Sequence, residues 1–247
     1  MKSYPKRYQL NSEIQLIDLA LFFPKKKILI ISDLHLGYEE ALNRKGVLIP
    51  RFQFKDTITR LKPILETTKP ETVIINGDLK HEFGLIMDQE WRDILQLIDL
   101  IDQYAKKIVL IKGNHDVKLG PIARKRSIEL VPRYEFDGYL VMHGDKIPDD
   151  LKQLNVHTLI IGNEHPAISI GDTIRRETYK CFLIGMFRSW LKKWNLIVLP
   201  SFNQVTIGTD VSKEKLLSPF LKDNVKKCEV IVVDKELYPF GKVGKID

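Results

Sequence analysis

Five short apolar runs of this chain each end in residues of the types that serve as metal ligands in proteins. The runs are continuously apolar and rich in β-branched residues, which is typical of strands buried on both faces of a sheet. In open α/β sheets, ligands gather at the carboxyl ends of the strands. The sequence therefore predicts an α/β sheet that brings Asp, His and Asn side chains to one rim. The five segments span 28–35, 73–78, 108–116, 140–145 and 159–165.

The two halves of the chain differ in the order of their predicted elements. In the first half, strands alternate with helices that carry apolar residues at helical spacing, which predicts a βαβ sheet. In the second half, strands follow one another with few helices between them, which predicts a second sheet packed on the first. No linker separates the halves, so we expect one domain over residues 1–247. The predicted helices span 38–44, 52–66, 88–104 and 216–221. The predicted strands of the second half span 139–142, 158–161, 180–184, 196–199 and 229–233.

The charge and hydropathy of the chain limit its partners. Its formal net charge is +7 at pH 7, which suits a polyanionic partner, and nucleic acid is the candidate. No apolar run approaches the roughly 18 residues of a membrane-spanning helix, so no membrane partner is expected. The first residues lack the apolar region of a signal peptide, and we expect the protein to be cytoplasmic. The sequence identifies no protein partner.

The polar ends of the strands carry ligand types at short, regular spacings. Asp33 and His35 lie two residues apart, and the two carboxylate oxygens of Asp78 can bridge two cations. The segment 113–116, Gly-Asn-His-Asp, is more specific because it places an amide, an imidazole and a carboxylate in a row after a strand. Together the motifs supply the mixed oxygen and nitrogen ligands that a two-metal hydrolase needs. Two histidines complete the set after the later strands, His143 and His165.

The order and spacing of these motifs resemble the calcineurin-like metallophosphoesterases, whose pattern is DxH, GDxx(H/D), GNH(D/E), HG and GHxH. The resemblance spans residues 33–166. The length of the chain and its tail, including residues 199–203, resemble the small archaeal SbcD-related phosphoesterases. The resemblance implies a four-layer α/β/β/α sandwich of two packed mixed sheets.

The same resemblance implies a dinuclear metal centre. Two divalent ions would be bound, with Mn²⁺ as the first choice and Fe, Zn, Ni or Co as alternatives. The ligands of the first ion would be Asp33, His35, Asp78 and His165. The ligands of the second ion would be Asn114, His143 and the bridging Asp78.

Three further residues receive roles from the resemblance. His115 would face the leaving group as the proton donor, and Asp116 would orient His115. His81 follows Asp78 at the GDxxH spacing and would contact the substrate phosphate. Histidine at this position resembles the nuclease branch of the family more than the phosphomonoesterases.

Asn163 departs from the family pattern. The family has His at this position, as a ligand of the second ion, whereas this chain reads Gly-Asn-Glu-His over residues 162–165. A carboxamide oxygen is a weaker donor than imidazole for Zn²⁺ or Fe. We therefore expect Asn163 to hold the second ion loosely, or Glu164 to replace it as a ligand.

The sequence favours a metal-dependent phosphodiesterase of the nuclease type, in which a metal-bound hydroxide attacks phosphorus. One alternative is a weakly active or inactive scaffold of the same fold that binds a protein partner. Asn163 favours that alternative slightly, and His115 argues against it because a scaffold needs no proton donor. Another alternative is a phosphomonoesterase or cyclic-nucleotide phosphodiesterase, which His81 and the basic charge disfavour.

Overall fold

The first three apolar runs form neighbouring parallel strands of one sheet. The computed structural model describes residues 5–82, 84, 86–126, 128–171, 175–189 and 191–246. Within them, the first sheet has its strands in sequence order, antiparallel from the first to the fourth and parallel from the fourth to the seventh. These strands are β1 (Arg7–Gln9), β2 (Gln15–Ile17), β3 (Ala20–Phe23), β4 (Ile28–Ser32), β5 (Thr72–Asn76), β6 (Lys107–Ile111) and β7 (Glu129–Val131).

Helices fill the connections between the parallel strands. They are α1 (Tyr38–Arg44), α2 (Gln53–Thr68), α3 (Asp88–Asp102) and α4 (Gly120–Lys125). The helix predicted over 38–44 is confirmed, and those predicted over 52–66 and 88–104 are confirmed with ends shifted by one or two residues. α2 and α3 each bury an apolar stripe against the sheet, because residues three and four apart share one helix face. None of the described helices is long and apolar enough to cross a membrane.

The second half of the chain forms a second mixed sheet, and its five predicted strands are present. Its strands are β8 (Arg133–Phe136), β9 (Tyr139–Met142), β10 (Thr158–Ile161), β11 (Pro166–Gly171), β12 (Arg176–Ser189), β13 (Lys192–Val198), β14 (Thr209–Asp210), β15 (Glu229–Val233) and β16 (Leu237–Lys242). β10 lies between β9 and β13 and is parallel to both. The long β12 pairs antiparallel with β11, β13 and β15.

The two sheets pack face to face, as the alternation of side chains along β9 shows. Tyr139 and Val141 belong to the core shared with the first sheet, whereas Leu140 and Met142 belong to a second apolar cluster. Successive side chains of a strand point to opposite faces, so both faces of this sheet are covered. The expected α/β class with two packed mixed sheets is confirmed. The expectation of one domain over 1–247 stays a prediction.

The helix predicted over 216–221 is wrong. Residues 216–218 have no regular secondary structure, residues 219–221 form a turn, and a single 3₁₀ turn follows at Val225–Lys227. Pro219 disfavours a helical conformation at Ser218 before it. The backbone amides of Leu217 and Ser218 instead donate to Glu164, over 2.9 and 2.7 Å. A side chain distant in sequence therefore replaces the helical hydrogen bonds.

The strand register brings the polar ends of both sheets to one rim. Ser32 pairs with Asn76, which pairs with Ile111, so β4, β5 and β6 end level. Ile161 pairs with Met142 in the same way in the second sheet. The backbone amide of Asn203 donates to the carbonyl oxygen of Asp33 over 3.2 Å, which joins a segment after β13 to the end of β4.

Candidate metal centre

Two buried carboxylates form the floor of the rim. Asp33 directly follows β4, and Asp78 follows β5 after one glycine. Asp33 accepts hydrogen bonds from the backbone amide of Asn163, at 3.1 and 3.0 Å from its two oxygens, and from the Ser32 hydroxyl at 2.7 Å. Asp78 Oδ1 accepts the backbone amide of His115 over 3.0 Å. Both carboxylates are thus fixed in place by neighbouring loops.

Two imidazoles converge beside Asp33. His35 Nε2 lies 3.2 Å from His165 Nε2, and His165 Nε2 lies 3.4 Å from Asp33 Oδ1. His35 Nε2 also lies 3.6 Å from Asp78 Oδ2. Ligand atoms about 2.1 Å from one ion are roughly 3 to 3.5 Å from each other in tetrahedral or octahedral geometry. Asp33, His35 and His165, with Asp78 at their edge, therefore have the spacing of a metal site, which we call the first metal position.

A second group surrounds the other side of Asp78. His143 Nε2 lies 3.4 Å from Asp78 Oδ2 and 2.8 Å from Asn114 Oδ1. His143 Nδ1 lies 3.6 Å from Asp33 Oδ1. Asp33, Asp78 and His143 also have ligand atoms close enough to share an ion. We call Asp78, Asn114 and His143 the second metal position. Asp78 Oδ2 lies between the two positions.

The charges of these side chains favour a cation between the carboxylates. Burial by itself raises the pKa of Asp33, but the imidazoles of His165, His143 and His35 hold it at about 2. Burial opposes protonation of His143, yet Asp78 and Asp33 raise its pKa to about 9. Two adjacent carboxylates require a compensating positive charge. Burial and His165 lower the pKa of His35 to about 3, which keeps that ring in the neutral form that binds metals.

The donor set fits a divalent transition metal. Imidazole nitrogens and carboxylate oxygens together suit Mn, Fe, Zn, Ni and Co. The Nε2 atoms of His35 and His165 face each other beside carboxylate oxygens, which is an arrangement that a shared ion explains better than a single hydrogen bond. The residues predicted as ligands are therefore close together. For Asn163, the contact with the site is made by its backbone amide. The amide of Asn163 donates to Asp33, as described above.

Backbone strain is concentrated at the predicted ligands. Five site residues have a positive φ, between 46° and 62°. Non-glycine residues are uncommon in this region, although Asn, Asp and His enter it most readily. Such conformations cluster at functional sites. The five residues are Asp33, His35, Asp78, Asn163 and His165.

Gly77 makes room for the second metal position. Its φ is +79°, and a Cβ atom there would lie 2.1 Å from Nδ1 of His143. Any other residue at this position would displace the imidazole. The glycine before Asp78 is therefore required both by the turn and by the close approach of the second sheet.

His115 and His81 lie beside the first metal position. Their rings form a third close group with His35, and His115 Nε2 lies 3.9 Å from Asp78 Oδ2. The Nδ1–H of His115 donates to the main-chain carbonyl of His81. This bond orients the ring so that Nε2 faces the carboxylates. Burial and then His115 lower the pKa of His81 to about 4.

Asp116 ties two loops together. Its Oδ1 accepts the backbone amides of Leu79 and Lys80 over 3.1 and 3.3 Å, and its Oδ2 accepts that of Gly113 over 3.0 Å. Burial raises the pKa of this carboxyl to about 6. These bonds hold the loop of Asp78 against the loop of Asn114. The prediction that Asp116 orients the ring of His115 stays a prediction.

The suggestion that Glu164 replaces a ligand is wrong. Glu164 is fully buried, and its carboxylate accepts the backbone amides of Leu217 and Ser218. Burial raises its pKa. Its side chain therefore supports the 217–218 segment and does not join the groups with metal-binding spacing in the described part of the chain.

Two residues that support the site escape sequence analysis. The ring of Tyr38 packs against that of His81, with centroids 4.2 Å apart. The fully buried Glu90 of α3 accepts the backbone amides of His81 and Glu82, over 3.3 and 3.1 Å. A Cβ atom at Gly37 would lie 2.2 Å from Cγ of Glu90. An acidic residue in the first turn of a helix is too common to reveal this role.

Comparison with known proteins identifies the family to which the chain is similar and supports its fold. Residues 26–242 match the family described as calcineurin-like phosphoesterase. The Pseudomonas putida nuclease MPE aligns with 96% of this chain and 100% of its own at 19% identity, with a TM-score of 0.66, which shows a shared fold. No curated protein matches the sequence significantly.

Two further solved structures are more distant. An Aquifex aeolicus protein of unknown function has 21% identity and a TM-score of 0.36 over 55% of this chain and 77% of its own. A Streptococcus pneumoniae protein described as a predicted phosphoesterase has 16% identity and a TM-score of 0.32 over 86% of this chain and 92% of its own. Similarity at this level fixes neither fold nor function.

Proposed function

Because the chain belongs to the calcineurin-like phosphoesterase family, we propose that it is a metal-dependent phosphodiesterase of the nuclease type with a dinuclear centre. The position of Asp78 carries this proposal. Its Oδ2 lies 3.6 Å from His35 Nε2 and 3.4 Å from His143 Nε2, so one carboxylate borders both metal positions. A bridging carboxylate is the feature that a paired-ion site requires and a single-ion site does not.

The residues of the two metal positions would hold the ions. Asp33, His35 and His165 would bind the first ion and Asn114 and His143 the second, with Asp78 shared. Mn²⁺ is our first choice of ion. Bound divalent ions supply Lewis-acid activation of the phosphoryl group and of water at neutral pH. The backbone amide of Asn163 donates to Asp33, and we propose the side chain of Asn163 as a weak ligand.

His115 supplies the proton that the leaving group needs. Its Nδ1–H is held by the carbonyl of His81, so the proton for transfer is on Nε2, which faces the carboxylates. In the imidazolium form the ring can give this proton to a departing alkoxide. His81 stands beside it and would contact a phosphate oxygen. Asp116 positions the loops that carry Asp78 and Asn114.

Two observations support a nuclease-type diester substrate. The net charge of +7 favours a polyanion. The P. putida protein with the same fold is a nuclease, and we extend that activity to this chain. Placement among the SbcD-related phosphoesterases, like a cytoplasmic location, stays a prediction.

Hydrolysis of two simple esters tests the proposal. Protein stripped of metal and then given Mn²⁺, Ni²⁺, Co²⁺ or Zn²⁺ is assayed on bis(4-nitrophenyl) phosphate and on 4-nitrophenyl phosphate, with chelator as the control. We expect metal-dependent hydrolysis with a higher kcat/KM on the diester. Preference for the monoester would contradict the diesterase assignment. Absence of activity on both esters would favour the scaffold alternative.

A further inference from the structure

A cleft of about 460 Å³ opens beside the second metal position. Asn114 and His143 line it, so it is continuous with the candidate metal centre. Its volume is within the range of pockets that bind small ligands. One part of its wall is apolar. The apolar lining residues are Val117, Pro132, Met142 and Pro148.

Two lysines line this cleft, and each lies within three residues of a predicted ligand in sequence. Lys112 comes two residues before Asn114 at the end of β6, and Lys146 comes three residues after His143 at the end of β9. Both are exposed, and neither has an ion-pair partner among the residues that the structure describes. The register of the strands thus places two unpaired cations along one side of the second metal position.

Two other charged groups line the cleft. Arg133 lies 2.6 Å from Asp150 and 3.1 Å from Glu135, so its charge is already matched. Asp145 is exposed and offsets part of the lysine charge. The reacting phosphate belongs at the metal positions, which leaves Lys112 and Lys146 available for a further anionic group.

We infer that this cleft binds the nucleotide next to the scissile phosphate of a single-stranded nucleic acid, with Lys112 and Lys146 at the flanking phosphate. The inference rests on the proposed function. The nucleotide beside the scissile phosphate offers the apolar face of its base and the phosphate that flanks it. The base face matches the apolar wall of the cleft, and the flanking phosphate matches the two lysines. A base paired within a duplex cannot enter a cleft of this size without leaving the stack. The cleft therefore selects an unpaired strand.

The ratio of two activities tests the inference. kcat/KM of the full-length Mn²⁺-loaded protein is measured on a ten-nucleotide DNA strand and on bis(4-nitrophenyl) phosphate. In the double variant Lys112→Ala/Lys146→Ala, we expect the ratio of oligonucleotide to aryl diester activity to fall about 10-fold. The dependence of oligonucleotide binding on salt should weaken, with a log–log slope smaller by about 1. Asp145→Asn should shift the ratio in the opposite direction.

Lys62→Ala/Lys106→Ala is the matched control, because it removes the same charge at a distance from the cleft. Lys106 directly precedes β6, and Lys112 directly follows it. Its ratio should match that of the wild type, and thermal unfolding confirms that all variants are folded. A ratio unchanged in the lysine variant, or lowered equally in the control, overturns the cleft assignment. If wild-type protein hydrolyses neither substrate, the proposed function fails and the cleft assignment fails with it. Aryl diester hydrolysis with an unchanged ratio rejects the cleft alone.

Discussion

The two metal positions share a carboxylate but differ in their other donors. The first has two imidazoles, His35 and His165, whose Nε2 atoms are 3.2 Å apart. The second has one imidazole, His143, with the amide oxygen of Asn114 at 2.8 Å. Asn163 stands where the family has a further histidine. Imidazole is a stronger donor than an amide oxygen for divalent transition metals, so under the proposed dinuclear centre we expect the two ions to differ in affinity.

The positions also differ in their surroundings. The first adjoins the rings of His81 and His115. The second opens onto the cleft that contains Lys112 and Lys146. Under the proposed function, the more strongly held ion would lie near His115, and the more weakly held ion would lie beside the cleft. Under the proposed function, the reacting phosphate would meet His81 and His115 on the first side of Asp78, and the rest of the substrate would meet the cleft on the second side.

Asp78→Asn should have the largest effect, because it removes the group common to both positions. A neutral amide cannot balance two cations, so we expect loss of the second ion, weakening of the first, and a fall in kcat/KM of about 10⁴-fold. Metal content by mass spectrometry and diester hydrolysis measure this. The exposed Asp223→Asn is the matched control. A variant that retained both ions would show that the carboxylate does not bridge.

His115→Gln should have a large effect that depends on the leaving group. Loss of a general acid costs about 10²- to 10⁴-fold when the leaving group needs a proton. We expect that loss on an oligonucleotide, little loss on a nitrophenyl diester, and unchanged metal content. Equal losses on both substrates would mean that His115 is not the proton donor. Loss of metal would make it a ligand of the first position.

Asn163→His should make the two positions more alike. An imidazole in place of the amide should tighten the second ion about 10-fold, which corresponds to roughly 1.4 kcal/mol. Calorimetric titration of metal-free wild type and variant with Mn²⁺ gives the two dissociation constants. Equal and tight binding of two ions by the wild type would remove the inequality on which this comparison rests.

Lys180→Met should have the smallest effect on activity, and the quantity affected is the free energy of unfolding. Lys180 is close enough to Asp33 of the first metal position to feel its charge. The Nζ of Lys180 is buried without a hydrogen-bond partner in the described part of the chain, and burial and then Arg60 lower its pKa to about 7. In the unfolded chain, the amine of Lys180 has its ordinary pKa of 10.5 and therefore keeps its proton to a higher pH. Wild-type stability should therefore rise with pH above about 7, and the variant should lack this rise.

At pH 6 we expect the metal-free Lys180→Met variant to be more stable than the wild type by several kcal/mol, because an unpaired buried amine is removed. The difference should shrink between pH 7 and pH 10. Denaturant unfolding with chelator present measures it at each pH. A constant difference across that range would show that the amine does not titrate in the folded protein.

Local patterns made the strands and most of the site predictable. The apolar runs before Asp33, Asp78 and Asn114 form parallel strands that end level, and this register brings these three predicted ligands to one edge of the sheet. His143 and His165 could be placed only by assuming a second sheet packed on the first. The sequence therefore contains enough short-range information to predict the rim, once the topology is known.

Contacts between distant segments account for what the sequence did not reveal. Glu164 was a reasonable substitute ligand until the structure placed its carboxylate on the amide of Ser218, 54 residues later. The same contact replaced a predicted helix. Glu90 supports the loop of His81 from another element. The cleft likewise combines the ends of β6 and β9, whose separate sequences contain no pocket signal.

The left-handed backbone at five site residues sets a limit on how robust this protein can become. Each such conformation costs of order 1 kcal/mol or more, so together they amount to a large part of the net stability of a typical domain. Glycine would relieve that cost at Asn163 or His165 and remove a proposed ligand. Selection for thermal resistance alone would therefore erode the site first, and a stabilised descendant of this chain would tend to be an inactive one.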